Sequence, residues 1–241
     1  MEPRLVLFDV DGTLVDTAGA GRRAVERAFS RVFGLDGVAE RSAGIRFAGC
    51  TDPTIFLTLA REIGIDPADW EKRRGSFEAT YLAELEREMA RPDDRRRVVR
   101  GADRLLRDLA GRPGAVLGLV TGNLELGARL KLRPFDLERY FLGGGFGSDD
   151  PDRRVIARRA TEKLSSVAGI PFRASEIVVV GDTEHDIDCA RANGYRAVAV
   201  ATGWVPREVL EAACPDALLP DLGDLDAALA ALGFATPEVR C

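Results

Sequence analysis

The sequence predicts an α/β fold: a parallel sheet flanked by helices and interrupted, just after its first strand, by a purely helical segment. Three observations carry this. Four short apolar runs recur along the chain, and helical patterns lie between the later ones. The stretch from about Thr17 to Arg97 has helical periodicity with no buried strand. A chain of 241 residues has room for a core domain plus a smaller accessory one, and 46% apolar residues are enough to build a core.

Leu5-Val6-Leu7-Phe8 is continuously apolar and ends in Asp9-Val10-Asp11-Gly12. A strand covered on both faces looks like this as it enters a tight turn. The helical patterns that follow run from Gly21 to Phe33, Pro53 to Ile63 and Trp70 to Met89, with Ala24, Ala28 and Phe29 among their packing positions. Arg91-Pro92-Asp93-Asp94-Arg95-Arg96-Arg97 is a polar break of the linker kind. The sheet domain is therefore assigned to 1–16 and 98–241, and the helical insert to 17–97. Past the break come a helical pattern (Ala102 to Ala110), an apolar run (Val116 to Val120), a helical pattern (Val155 to Ala168), a run (Ile177 to Val180), a helical pattern (Asp186 to Ala192) and a last run (Ala197 to Val200).

Net charge is −5 and no basic stripe stands out, so a nucleic-acid partner is not expected. Nor is a membrane, because no apolar run reaches spanning length. Met1-Glu2-Pro3-Arg4 leads straight into the first strand without a leader pattern. Cys50, Cys189, Cys214 and Cys241 are scattered and read as small buried residues or, for Cys241, a frayed end, not as a disulfide framework. A cytoplasmic enzyme, monomer or homodimer, acting on a small molecule is the expectation.

In an open parallel sheet, ligands bind outside the carboxyl ends of the strands, so the polar loops after the runs should converge on one crevice. Asp9, fixed at a strand end, can serve as a nucleophile toward phosphorus. Asp11, one step into the turn, can protonate a leaving oxygen and later take a proton from water. Gly181-Asp182-Thr183-Glu184-His185-Asp186 adds two carboxylates at a second strand end, where their repulsion calls for a cation. Magnesium, which needs few protein oxygens, suits Asp182 as direct ligand and Asp186 as the group that steadies its water. Thr121-Gly122-Asn123 supplies a hydroxyl and backbone N–H groups for phosphate oxygens. Arg153 or Arg154, opening the helix before the Gly-Asp strand, can offset charge on the transferring group.

These three motifs, in this order, resemble the haloacid dehalogenase-like hydrolase superfamily, specifically its phosphoglycolate phosphatase-like branch with an α-helical cap. The likeness extends to Ala201-Thr202-Gly203-Trp204 and Pro220-Asp221-Leu222. It implies a Rossmann-like core with a mobile cap, magnesium as cofactor, and an aspartyl-phosphate intermediate. By the same resemblance Asp9 is nucleophile and metal ligand, Asp11 is acid/base and a ligand through its carbonyl, Asp182 is the other protein ligand, and Thr121 binds phosphate. The family's usual third-motif lysine is missing from Asp149-Asp150-Pro151-Asp152-Arg153-Arg154, so arginine must replace it, with Lys163 a distant substitute. In the insert, Cys50 stands where the family often carries a base, which weighs against a strongly anionic leaving group. Arg46, Thr51 and Asp52 are the expected cap contacts to substrate. His185 is expected to be an exposed loop residue, and Trp204 a packing residue.

The expected activity is hydrolysis of a small organic phosphate monoester. The alternatives are a phosphosugar mutase or other phosphotransferase, a 2-haloacid dehalogenase, and a non-catalytic binding protein on the same fold. Asp11 and the acidic pair Asp182 and Asp186 argue against the dehalogenase, which needs neither metal nor acid. The convergent carboxylates argue against a scaffold.

Overall fold

The computed structural model describes residues 3–234; Met1, Glu2 and Cys241 lie outside them. The chain begins with β1 (Arg4–Phe8) and β2 (Val15–Asp16), then runs through α1 (Ala20–Phe33), α2 (Val38–Ser42), α3 (Asp52–Glu62) and α4 (Pro67–Ala90). It returns through β3 (Arg97–Val98) to α5 (Ala102–Ala110), β4 (Ala115–Val120), α6 (Glu125–Leu132), β5 (Gly144–Gly145) and α7 (Arg153–Ala168). β6 (Ile177–Gly181), α8 (Glu184–Ala192), β7 (Arg196–Val200), α9 (Arg207–Ala212), β8 (Ala217–Leu219) and α10 (Leu225–Ala231) complete it.

Six strands form one parallel sheet in the order β5-β4-β1-β6-β7-β8. The chain fills one side of β1 with β4 and β5, then crosses back to fill the other with β6, β7 and β8. Strand order thus reverses at β1, and a crevice opens at its carboxyl end. Phe8 lies level with both Leu119 and Val180. The residues just past β1, β4 and β6 are therefore brought to one height.

Burial on both faces explains the continuous apolar runs. Along β1, Val6 and Phe8 join the core under α5 and α10, whereas Leu5 and Leu7 join the core under α7 and α8. All four are fully buried. The structure is the α/β parallel sheet that the sequence predicts.

The stretch between β2 and β3 is helical throughout its regular elements among the described residues. It leaves and re-enters through a single antiparallel pair, Val15 opposite Val98 and Asp16 opposite Arg97, with an Asp16–Arg97 ion pair at 2.8 Å. Its interior is a third cluster built on aromatic rings. Phe77 of α4 lies 4.3 Å from Phe29, 5.0 Å from Phe56 and 5.2 Å from Trp70, centroid to centroid. Two buried acids of α4 are answered by arginines, Glu84 by Arg31 and Glu88 by Arg23 and Arg27, which fastens α4 to α1.

Of the described cysteines, Cys189 is buried as expected, Cys50 half-buried and Cys214 exposed, all as free thiols. No helix among the described residues is long and apolar enough to cross a membrane.

Phe77 is fully buried at the centre of the aromatic set. Phe77→Ala is expected to cost about 3–5 kcal/mol, the range for emptying a large core side chain. Urea unfolding followed by circular dichroism measures this, and a loss below about 1 kcal/mol would contradict the packing described.

Candidate active site

β1 delivers Asp9 to the crevice with its N–H bonded to the Val180 carbonyl at 2.9 Å, so the residue is held by the neighbouring strand before its side chain is considered. β6 delivers Asp182, and the first turn of α8 delivers Asp186. All three are buried, and one carboxylate oxygen from each lies within 4.8 Å of the others. Among the described residues, the cation seated directly among them is Arg153, the first residue of α7, whose Nη2 is 3.3 Å from Asp9 Oδ1 and also bonds Asp186.

Burial pushes the Asp9 carboxyl up to about 7; Arg153 opposes the shift, Asp186 and Asp11 add to it, and the Thr121 hydroxyl draws it down. The same cause raises Asp182 well above the ordinary carboxylate range, with Asp9 and Asp186 adding to it. Three buried carboxylates facing one guanidinium leave a surplus of negative charge that a divalent cation would relieve. Asp186 is already engaged by Arg153 and by the Thr183 hydroxyl at 2.7 Å, so it stands behind Asp9 and Asp182 as a supporting group. The donor set therefore fits a hard cation.

Two glycines give Asp182 its space. A Cβ at Gly203 would lie 1.6 Å from Asp182 Oδ2, and one at Gly12, whose φ is +80°, would lie 2.3 Å from the same atom. Only backbone without a side chain can pass so close.

Asp11 faces another way. Its Oδ2 accepts from Asn123 Nδ2 at 2.8 Å, and its side chain is 43% exposed. Asn123 also donates to Thr121 Oγ1 at 2.8 Å, so the loop after β4 ties the Thr121 hydroxyl to Asp11. Gly122 contributes a close approach: its carbonyl accepts from Asp52 N at 2.7 Å, and a Cβ there would meet the Cys50 carbonyl at 2.4 Å.

The two arginines separate cleanly. Arg153 enters the site, with its buried Nε left without a protein partner, a donor suited to a phosphate oxygen. Arg154 lies outside the site: it is exposed and paired with Asp188 at 2.8 Å. Of the two arginines left open as alternatives, Arg153 is therefore the one in the crevice and Arg154 the solvated neighbour, because successive residues on a helix point about 100° apart. Lys163 is paired with Asp149 at 2.7 Å.

The residues expected to contact substrate from the cap each have protein partners. Arg46 pairs with Glu184 at 2.8 Å on the rim. The Thr51 hydroxyl bonds Thr54 at 2.8 Å and the Pro151 carbonyl at 3.3 Å. Asp52 Oδ2 accepts from Leu124 N at 2.8 Å and from the Tyr81 hydroxyl at 3.3 Å, which satisfies the start of α6. These groups seam the helical insert to the sheet. His185 is exposed, as expected, with its ring against the backbone of Gly49. Trp204 is 85% exposed, so the packing role expected for it is corrected; Val205 beside it is the buried residue of that loop.

The residue that the sequence reading misses is Lys131. It lies near the end of α6, 5% exposed, with Nζ 2.6 Å from Asp11 Oδ2 and 2.6 Å from Asn123 Oδ1. A signal for it exists. Leu124, Gly127, Ala128 and Lys131 follow the i, i+3, i+4, i+7 spacing of a helix's buried face, so the lysine occupies an inward position.

Comparison with known proteins bears on the family and the fold. A family model described as haloacid dehalogenase-like hydrolase matches residues 3–194. A phosphoglycolate phosphatase of Synechococcus elongatus is 30% identical over 222 residues, covering 91% of this chain and 94% of its own. A 5'-nucleotidase of Pseudomonas aeruginosa is 29% identical over 224 residues, covering 91% and 92%. Among solved structures, CbbY from Rhodobacter sphaeroides in complex with phosphate superimposes with a TM-score of 0.73 at 22% identity, covering 96% of this chain and all of that one. The chain belongs to the haloacid dehalogenase-like hydrolase family.

Asp52 yields a pH prediction. Burial raises its carboxyl from 3.8 to about 6, with the Lys131 charge and the Leu124 N–H bond pulling the other way. The folded protein therefore holds this proton more tightly than the unfolded chain. The stability this proton confers is full below about 3.8 and is lost as pH rises through about 6. Asp52→Asn keeps an acceptor for Leu124 N without the ionisation. It is expected to melt above the wild type near neutral pH, with the gap closing in acid. A thermal-melt series across pH checks this; an Asn variant that melts lower at neutral pH would refute it.

Proposed function

We propose that this hydrolase is a magnesium-dependent phosphatase that cleaves a small organic phosphate monoester through an aspartyl-phosphate on Asp9. The observation that carries the reading is the buried set at the β1 tip, where Asp9 has Arg153 at 3.3 Å and two further carboxylates beside it. Asp9, Asp182 and the Asp11 carbonyl would hold the magnesium, with Asp186 behind them. When bound, the ion neutralises charge on the phosphate and on these carboxylates.

Arg153 and the Thr121 hydroxyl hold the phosphate oxygens and orient phosphorus toward Asp9. An Asp9 oxygen forms the new bond to phosphorus as the bond to the leaving oxygen breaks, and Asp11 protonates that oxygen. Asp11 then takes a proton from water, whose oxygen displaces the Asp9 carboxylate and releases phosphate. Segment 17–97 acts as the cap. The contacts Asp52–Leu124, Thr51–Pro151 and Arg46–Glu184 support a closed arrangement that keeps bulk water from the first half-reaction. Their breakage would admit and release substrate.

The substrate class is a small phosphorylated metabolite. The names of the similar enzymes make 2-phosphoglycolate and nucleoside 5'-monophosphates the first compounds to try. Cys50 in place of a cap base, and Arg46 already paired with Glu184, favour a leaving group of modest charge.

A phosphate-ester panel that includes p-nitrophenyl phosphate tests this. Turnover is expected with magnesium, none after chelation, and Asp9→Asn is expected to lose at least about a thousandfold in kcat. An acid-quenched wild-type enzyme is expected to carry labelled phosphate on Asp9. Undiminished turnover in Asp9→Asn would remove the mechanism, and silence across the panel would favour a binding protein.

A further inference from the structure

The mechanism above uses one cation of the protein, Arg153, yet the crevice holds a second. Lys131 reaches it from the last turn of α6, with a side chain only 6% exposed. Burying an ammonium group is costly unless its donors are matched by good acceptors. Here they are matched closely: Asp11 Oδ2 and Asn123 Oδ1 each lie 2.6 Å from Nζ. On the far side, α1 leaves just enough space for the amine, since even a Cβ at Gly21 would stand 3.4 Å from Nζ.

Asn123 closes the circuit. Its oxygen accepts from Lys131 while its amide nitrogen donates to Asp11 Oδ2 at 2.8 Å and to Thr121 Oγ1 at 2.8 Å. Both donors to Asp11 thus converge on one oxygen, Oδ2. The other, Oδ1, has no protein partner among the described residues. Asp11 sits on an open turn with nearly half its side chain in solvent, so nothing else holds the carboxylate in one rotamer.

The geometry points to Lys131 as a positioning residue that, with Asn123, pins Asp11 Oδ2 and leaves Oδ1 to exchange protons with the leaving group and then with water. This deepens the phosphatase reading and rests on it. The proton balance is that of the mechanism: Oδ1–H gives its proton to the leaving oxygen as the phosphorus–oxygen bond breaks, and regains one from water as the aspartyl-phosphate is hydrolysed. Lys131 itself exchanges no proton. What it supplies is orientation, which in a proton transfer decides whether donor and acceptor meet within hydrogen-bond reach. A lysine kept only to neutralise buried acid would make no distinction between leaving groups, and this is where the two roles part.

The test is a double-mutant cycle on two substrates. Lys131→Met, Asp11→Asn and the double variant are assayed for kcat/KM, with magnesium, on p-nitrophenyl phosphate and on the best alkyl phosphate of the panel. The p-nitrophenolate ion leaves without a proton, whereas an alkoxide needs one. Lys131→Met is expected to lose roughly ten- to a hundredfold on the alkyl ester, several times less on the aryl ester, with KM nearly constant. In the Asp11→Asn background the lysine substitution is expected to add no further loss. Equal losses on both esters, additive losses in the cycle, or a change confined to KM would each overturn the assignment, the last marking Lys131 as a binding group for the leaving portion. Melting curves verify folding; if Lys131→Met does not fold, Lys131→Gln carries the same cycle. A wild type inert on every ester would instead bring down the phosphatase reading and this inference with it, whereas an active wild type with an additive cycle brings down the inference alone.

Discussion

Everything in this molecule is arranged around negative charge held out of water. Asp9, Asp182 and Asp186 are each less than a tenth exposed, and they share a few ångströms at the carboxyl end of the sheet. Ionised together with one arginine among them, they repel one another in a medium that screens poorly. The sheet tolerates this because its order reverses at β1, so strand ends and the first turns of helices, with their unpaired N–H groups, point at the same spot. The Thr183 N–H and hydroxyl both donate to Asp186, so the fold contributes donors where acids gather. A site that is costly without a positive ligand is by the same measure avid for one.

The seam between the helical insert and the sheet is built differently. Backbone lies on backbone at Gly122 and Cys50, and the joint is fastened by single polar groups: Asp52 on Leu124 N, Thr51 on Pro151, Arg46 on Glu184. Of these, only Asp52 is both charged when ionised and buried. Beside these polar ties the seam also carries an apolar contact, since Leu124 at the start of α6 and Leu130 within it pack into the cluster of the helical insert.

Much of this is legible in the sequence, for identifiable reasons. The strands β1, β4, β6 and β7 are buried on both faces, and in a chain of alternating elements such strands stand out as continuous apolar runs of four or five residues. β5 and β8 leave no such mark, because two or three residues, Gly144–Gly145 and Ala217–Leu219, carry no period. The aspartates are readable because carboxylates at strand ends are conspicuous. Arg153 and Arg154 differ only in helical phase, a faint signal because the apolar pattern of α7 begins at Val155, two residues after the helix does; Arg153 shares the inward face with Ile156, Ala157, Ala160 and Leu164. Trp204 misleads through its chemistry: an indole suggests packing, but here the loop buries Val205 and turns the ring outward. Arg46, Thr51 and Asp52 stand out as polar residues near the crevice, yet whether a polar group meets substrate or protein depends on a fraction of a turn that sequence spacing does not fix.

Lys131 shows the limit most clearly and also how it could be moved. A lysine in a short helix rich in charge reads as a solvated face, and α6 contains Glu125, Arg129 and Lys131 within seven residues. What separates Lys131 from the other two is its phase against Leu124, Gly127 and Ala128, which places it on the side that must be buried. An ammonium group forced inward needs acceptors, and an Asp-x-Asp turn beside a threonine-glycine-asparagine loop is the nearest place in the fold that offers them. Periodicity therefore identifies which charge is buried, topology identifies what it meets, and the demand for matched acceptors joins the two. Applied to Arg153 the same reasoning gives the same kind of answer. As the first residue of α7 it is turned inward, and the acceptors it meets there are the carboxylates of Asp9 and Asp186.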